Sequence, residues 1–226
     1  MHVNCKQRNL IYCTKDWYRI CESCKASDSQ WALQTKAILD RLQLVLAERS
    51  QYHHKKIQPS VQYLGNFLGV QKLAIDTFTE ELIRVGSSAI LSILINHFDP
   101  ILRKATNLGC WQVISPEEVS GFVTSVNELS TIQNKVYRKP TIIVAKRIAG
   151  DEEIPEGVVA VLTTDTPDVL SHVSIRARNN KVCFATCFDQ NVFMDLSGKE
   201  GKAISIRLLP TNLMIRLVQN LPILKF

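Results

Sequence analysis

The hydrophobic period changes once along this chain of 226 residues, and that change limits the fold more than any single motif. From Trp31 to residue 108, apolar side chains recur at intervals of three and four, the spacing that lines one face of an α-helix. After Pro116 the spacing moves toward two and the residues become β-branched, which describes strands. An α+β chain is therefore expected, with an N-terminal all-helical region followed by a compact α/β domain.

Within the first part, the stripe Trp31, Ile38, Leu42, Val45 and Leu46 predicts a helix of roughly 20 residues with Ser27 or Asp28 as its N-cap. Polar residues over 51–58 and then Pro59 predict its end, after which Ser60 caps a short helix carrying Val61, Leu64, Phe67 and Leu68. The next helix is expected to bury Leu73, Ile75, Phe78, Leu82 and Val85, to expose Glu80, Glu81 and Arg84, and to end at Gly86. A further one over 89–98 is closed by Asp99-Pro100. Residues 1–30 show no sustained period, hold Cys5, Cys13, Cys21 and Cys24, and read as an atypical, poorly ordered terminus. Cys21-Glu-Ser-Cys24 has the spacing of half a zinc site, but no second pair follows, so no metal is assigned.

In the second part, strands are expected over 121–126, 140–145, 157–162, 182–186 and 203–206, with one helix over 171–178. The runs 140–145 and 157–162 are nearly all apolar, as in strands covered on both faces. The resulting division is 1–30, a helical connector over 31–114, an α/β domain over 115–210 and a C-terminal tail over 211–226.

Composition excludes other classes. With 46% hydrophobic and 21% charged residues the chain can bury a core, which sets aside disorder. Apolar runs such as 89–95 reach about half the length of a bilayer span, so no membrane partner is expected. The net charge of +6 lies mostly in the N-terminal half, where bases are not interleaved with aromatics, so no nucleic-acid partner is expected either. No signal peptide or Ser- and Arg-rich transit segment is visible.

The chemistry concentrates after the strand at 157–162. Pro167 and Asp168 stop that strand, and Ser171 or Asp168 can cap the following helix, which puts His172 in its first turn. Unpaired N–H groups and the positive end of the helix dipole there favour an anion. Arg176 lies one turn on along the same face, and Arg178 or Lys181 can close around the same charge. A neutral imidazole is a competent nucleophile, as a covalent phosphoryl carrier requires. A capping or core histidine remains the alternative at this point.

The run Leu170-Ser-His-Val-Ser-Ile-Arg-Ala-Arg-Asn-Asn-Lys-Val-Cys-Phe-Ala-Thr-Cys187 resembles the phosphohistidine motif of dikinases related to pyruvate phosphate dikinase, and it is most similar to plant α-glucan water dikinases. Pro167-Asp168 and Leu170 stand where the broader family has Gly-Gly and Thr. Asn107-Leu-Gly-Cys-Trp-Gln-Val-Ile-Ser-Pro116, Gln133-Asn-Lys-Val-Tyr137, Glu152-Glu-Ile-Pro155 and Lys199-Glu-Gly201 extend the likeness, as does the helical stretch from Trp31. Phe188-Asp-Gln-Asn191 and Ala203-Ile-Ser-Ile206 lean toward the phosphoglucan branch.

The resemblance implies a swivelling phosphohistidine domain with His172 as the phosphorylated residue, supported by Ser171, Arg176 and Arg178. It implies passage of the β-phosphate of ATP through the histidine to a glucosyl hydroxyl of starch, with the γ-phosphate going to water. ATP and Mg2+ would bind an ATP-grasp module that this stretch of sequence lacks, as it lacks a starch-binding domain, so the chain reads as a fragment. The implied partners are that ATP-grasp domain, the glucan, thioredoxin and a second copy of the chain, and the implied location is the plastid. Cys183 and Cys187 match a redox pair of the family, although four residues of extended strand span about 13 Å, beyond the roughly 7 Å limit of a disulfide. Two buried thiols are the alternative, as a non-catalytic interaction or decoy protein is for the chain as a whole.

Overall fold

The computed structural model describes residues 5–23, 29–209 and 212–218, and the chain divides into two units. The first comprises Met1–Leu108 together with Asp168–Leu170; the second comprises Gly109–Pro167 and Ser171–Phe226. Among the described residues the first unit holds four helices, α1 (Cys5–Ser23), α2 (Ser29–Phe67), α3 (Lys72–Arg84) and α4 (Ser87–Thr106).

Helix α1 occupies most of the terminus expected to be poorly ordered. Leu10, Cys13, Trp17 and Ile20 recur at three, four and three, all of them at least half-buried, and Cys13 is fully enclosed. Asp16 on the same side pairs with Arg41 of α2 at 3.2 Å. Cys24, Ser27 and Asp28 lie outside the described residues.

Helix α2 runs for 39 residues straight through Pro59, where a break was expected. The proline forfeits one backbone hydrogen bond. Tertiary contact offsets the loss: the buried Gln58 donates from Nε2 to the Ile75 carbonyl at 3.0 Å and accepts from the Thr79 hydroxyl. The same contacts turn α3 over. Its buried side carries Ile75, Thr79 and Glu80, whereas Leu73, Phe78, Leu82 and Val85, expected inside, are exposed.

Helix α4 likewise continues through Asp99-Pro100 and ends at Asn107, whose φ of 51° closes it in the left-handed region. Asp99 is wholly buried and receives Lys36 Nζ at 2.9 Å and Arg103 Nε at 2.7 Å. Lys36, itself only 3% exposed at the side chain, also pairs with Asp40. The segment Asp168–Leu170 belongs to this unit through Ser92, which donates to Asp168 Oδ1 at 2.7 Å, and Arg84, which donates to the Leu170 carbonyl at 3.1 Å.

The second unit is one sheet of seven strands in the order β1-β5-β4-β3-β2-β6-β7. They are β1 (Trp111–Ser115), β2 (Val119–Glu128), β3 (Val136–Arg147), β4 (Glu156–Thr163), β5 (Cys183–Cys187), β6 (Ala203–Leu209) and β7 (Asn212–Leu217). The inner four, β2 to β5, are parallel, and β1, β6 and β7 flank them antiparallel. Helix α5 (His172–Asn179) connects β4 to β5, and α6 (Gln190–Ser197) follows β5. Ile142, Ile143 and Val144 of β3 and Ala160, Val161 and Leu162 of β4 are at most 1% exposed, in line with strands covered on both faces.

All five expected strands are present. Two further ones move the expected boundaries. Trp111, 3% exposed and paired with Cys187, draws β1 into the sheet, so the second unit starts at Gly109 rather than 115. Asn212–Leu217 pairs with β6 and buries Leu213, so this part of the expected tail is a strand; residue 211 and residues 219–226 lie outside the described residues. One glycine is dictated by close approach: Gly157 has φ +83°, and a Cβ there would run into the Tyr137 carbonyl of β3. No single helix among the described residues is long and apolar enough to cross a membrane.

Candidate functional site

Ser171 is extended, with φ −61° and ψ 154°, and is the N-cap of α5. Its Oγ accepts the Ser174 N–H at 3.3 Å, and its hydroxyl donates to Ser174 Oγ at 2.8 Å. Asp168, the other cap candidate, instead accepts the Leu170 N–H at 2.9 Å. His172 is thus the first residue of the helix, half-buried, reached from the carboxyl end of the parallel strand β4. Open α/β sheets place their ligands at that end.

The loop after β3 supports this helix start. Glu152, only 4% exposed, accepts the N–H groups of Ala149 at 2.6 Å and Gly150 at 2.7 Å with its two carboxylate oxygens. The tight turn so formed, with Gly150 at φ 105°, aims the Gly150 carbonyl at the Val173 N–H, 2.9 Å away. The next carbonyl, of Asp151, accepts Arg176 Nη1 at 2.6 Å, and Glu153 pairs with the same guanidinium at 3.3 Å. Asp165 ties this loop to the sheet: its Oδ2 accepts the Ile148 N–H at 2.5 Å and its carbonyl accepts the Thr186 hydroxyl of β5 at 2.8 Å.

These contacts revise the electrostatic picture drawn from sequence. Of the N–H groups expected to await an anion, those of Val173 and Ser174 are already taken, by the Gly150 carbonyl and by Ser171. The helix dipole persists as a source of positive potential at His172. Arg176 lies on the face of His172, one turn on, but its side chain is held by Asp151 and Glu153. Arg178 is six residues on, about 240° around the helix from His172, and is 8% exposed. Lys181 lies past the end of α5 with φ 54°.

Glu152 and Gly150 are the supporting residues that sequence reading missed. A glycine and a carboxylate two residues later, after an apolar run, signal a turn. Which N–H groups the carboxylate takes, and that the turn then meets α5, depends on the distant pairing of β3 with β4.

Cys183 and Cys187 stand at the two ends of β5, both buried and both free thiols. Burial pushes Cys183 up to about 11 and Cys187 up to about 12. The strand is paired on both sides, with β4 and, through a register shift opposite Phe184 and Ala185, with β1. Among the described residues no group of three or more His, Cys, Asp or Glu side chains is arranged to hold a metal ion.

Comparison with known proteins follows the same outline. A family model described as the phosphohistidine-like domain of α-glucan water dikinase matches residues 110–222. α-Glucan water dikinase 2 of Arabidopsis thaliana is 63% identical over 206 residues, which are 91% of this chain and 16% of that protein. The chloroplastic α-glucan water dikinase 1 of the same plant is 57% identical over 88% of this chain and 14% of its own length. The chloroplastic α-glucan water dikinase of Solanum tuberosum is 52% identical over 91% of this chain, again 14% of its length. These relatives carry the α-glucan name; the leaning toward the phosphoglucan branch finds no support among them. No solved structure matches. The chain therefore spans about one-sixth of the curated relatives it matches, and by the domain that occupies its second unit it belongs to the α-glucan water dikinase family.

Proposed function

We propose that this chain is the phosphoryl-carrying part of a starch-phosphorylating dikinase. The observation that carries the reading is the position of His172 as the first residue of α5, capped by Ser171 and backed by the loop held by Glu152. In this reading a ring nitrogen of His172 accepts the β-phosphoryl group of ATP and passes it to a glucosyl hydroxyl of an α-glucan. The γ-phosphate goes to water and AMP remains. ATP and its Mg2+ bind a separate ATP-grasp module, which brings the metal and shields the charge of the transferring phosphates when bound.

The residues of this chain have holding roles. Ser171 and the Gly150 carbonyl fix the helix start, which holds the His172 backbone in place. The helix dipole, positive at its N-terminus, stabilises the phosphoryl group once it is on the ring. Arg176, one turn away on the same face, braces the helix against the loop through the Asp151 carbonyl and Glu153. The chloroplastic names of two relatives support a plastid location for the complete protein.

The test is transfer of label. The chain is incubated with Mg2+, with ATP labelled at the β- or the γ-phosphorus, and with the nucleotide-binding segment of a glucan water dikinase relative. Acid-labile, base-stable label is expected on the chain from β-labelled ATP, and none on His172→Ala or on the closer-shaped His172→Asn. Equal labelling of both variants, or no label on the parent chain, overturns the reading.

A further inference from the structure

The helical unit holds a cavity of about 350 Å³, within the size range of small-molecule sites and lined by residues of that unit alone. Leu46, Arg49, Ser50, His53 and Ile57 follow one another at intervals that keep them on one stripe of α2. Ile83 near the end of α3, Gly86 and Ser88 at the start of α4, and Leu170 line the other side. Most of this wall is apolar, with Leu46 and Leu170 each 1% exposed, and no Asp or Glu is part of it. Arg49 is half-buried, and its guanidinium makes no ion pair or hydrogen bond among the described residues. Ser50 is 3% exposed, and its hydroxyl has no hydrogen-bond partner among the described residues either. Helix α4 starts at a glycine N-cap, with no side-chain cap and no acidic residue in its first turn, so the positive end of its dipole meets the cavity unscreened. Positive charge is thus gathered and partly desolvated here without being neutralised, a cost that a bound anion offsets.

We infer that this cavity binds a small amphiphilic carboxylate, its head on Arg49, Ser50 and the N-terminus of α4 and its apolar body against Leu46, Ile57, Ile83 and Leu170. A guanidinium accepts a carboxylate bidentately, and one such group beside one helix end matches a single negative charge rather than a phosphate dianion. The apolar wall disfavours inorganic phosphate and sugar phosphates, whose remaining oxygens and hydroxyls would lose water without gaining partners. At about 30 Å³ for each water-sized group, the cavity takes roughly a dozen non-hydrogen atoms, the size of a medium-chain fatty acid. Leu170 directly precedes Ser171 and His172 in the chain, so the occupant touches the segment that leads into α5. The inference does not depend on phosphoryl transfer through His172.

The experiment titrates the whole chain with octanoate, read by calorimetry and by amide NMR shifts. Saturable one-to-one binding with a Kd below about 5 mM is expected, tightening about fourfold per CH2 from hexanoate to octanoate. The shift changes should centre on Arg49, Ser50, Ser88 and Leu170. Octanol, which keeps the apolar body without the charge, and octyltrimethylammonium, which reverses the charge, should bind at least about tenfold more weakly. Arg49→Gln should weaken octanoate by about tenfold or more and Ser50→Ala by about threefold, while Lys104→Gln, at an exposed base near the far end of α4, leaves it unchanged. No saturation below about 5 mM, an affinity for octanol or octyltrimethylammonium equal to that for octanoate, or shift changes centred in the second unit overturns the inference. So does unchanged octanoate binding in Arg49→Gln; if that variant fails to fold, the comparison of the three ligands on the parent chain decides.

Discussion

Replacing Glu152 tests whether the loop after β3 holds the phosphohistidine helix in place. Its carboxylate is 4% exposed and accepts two N–H groups at 2.6 and 2.7 Å, so Glu152→Ala strands both donors. Hydrogen bonds to a charged group contribute about 1.5–3 kcal/mol each. Ala149 is exposed and Gly150 half-exposed, so water reaches the abandoned donors and the lower figure applies, about 3 kcal/mol for the pair. Glu152→Gln keeps one acceptor and turns an NH2 toward the other N–H, which predicts a loss of about 1.5 kcal/mol. At about 1.4 kcal/mol per decade these become increases of roughly 100-fold and 10-fold in the opening equilibrium of the loop. Native-state hydrogen exchange reads this directly through the amides of Ala149, Gly150 and Val173, with those of β6 as internal reference. The labelling of His172 should fall in the same order, Gln before Ala. Amide exchange at Gly150 and Val173 within threefold of the parent in Glu152→Ala would refute the reasoning, since these two positions lie on either side of the bond between loop and helix.

Two other perturbations follow from buried charge and buried thiols. Asp99→Leu leaves Lys36 and Arg103 without their shared anion in the helical unit, at a cost of about 3–5 kcal/mol; urea unfolding should register it, while Asp40→Asn, at an exposed carboxylate, changes stability by less than about 1 kcal/mol. Cys183 and Cys187 keep their protons in the folded domain up to about 11 and about 12, against 9.0 ordinarily, whereas the unfolded chain releases them from pH 9 upward. Their stabilisation is therefore complete below pH 9 and declines above it by up to about 1.4 kcal/mol per pH unit for each thiol. Urea midpoints between pH 8 and 10.5 measure the decline, and the double variant Cys183→Ala/Cys187→Ala should show a flatter profile; identical profiles would contradict the assignment of that slope to these thiols.

The legible parts of this protein were those whose signal is local. The alternation and β-branching of 121–126, 140–145, 157–162, 182–186 and 203–206 survive as strands because each side chain's preference and its burial agree. Ser171 and His172 were legible for the same reason, since an N-cap bonds a residue three positions away. Misreadings cluster where a distant partner outweighs a local rule. Pro59 and Pro100 looked like helix ends, yet Gln58 binds α3 and Asp99 binds Lys36, and these contacts carry the helices through. The apolar stripe of α3 looked like its buried face, yet Ile75 and Thr79 are drawn inward by Gln58 and most of the stripe stays outside.

By itself the amino-acid sequence determined that a helical half precedes a sheet-forming half and that a histidine opens the helix after a buried strand, with Ser171 or Asp168 as its cap. Each follows from periodicity or from bonds that close within a turn. Tertiary structure alone decided which carboxylate supports that helix, which groups hold the arginine on the histidine's face, and that Trp111 lies beside Cys187. Those outcomes depend on β3 meeting β4 and β1 meeting β5, pairings between residues far apart in the chain whose register no local pattern carries.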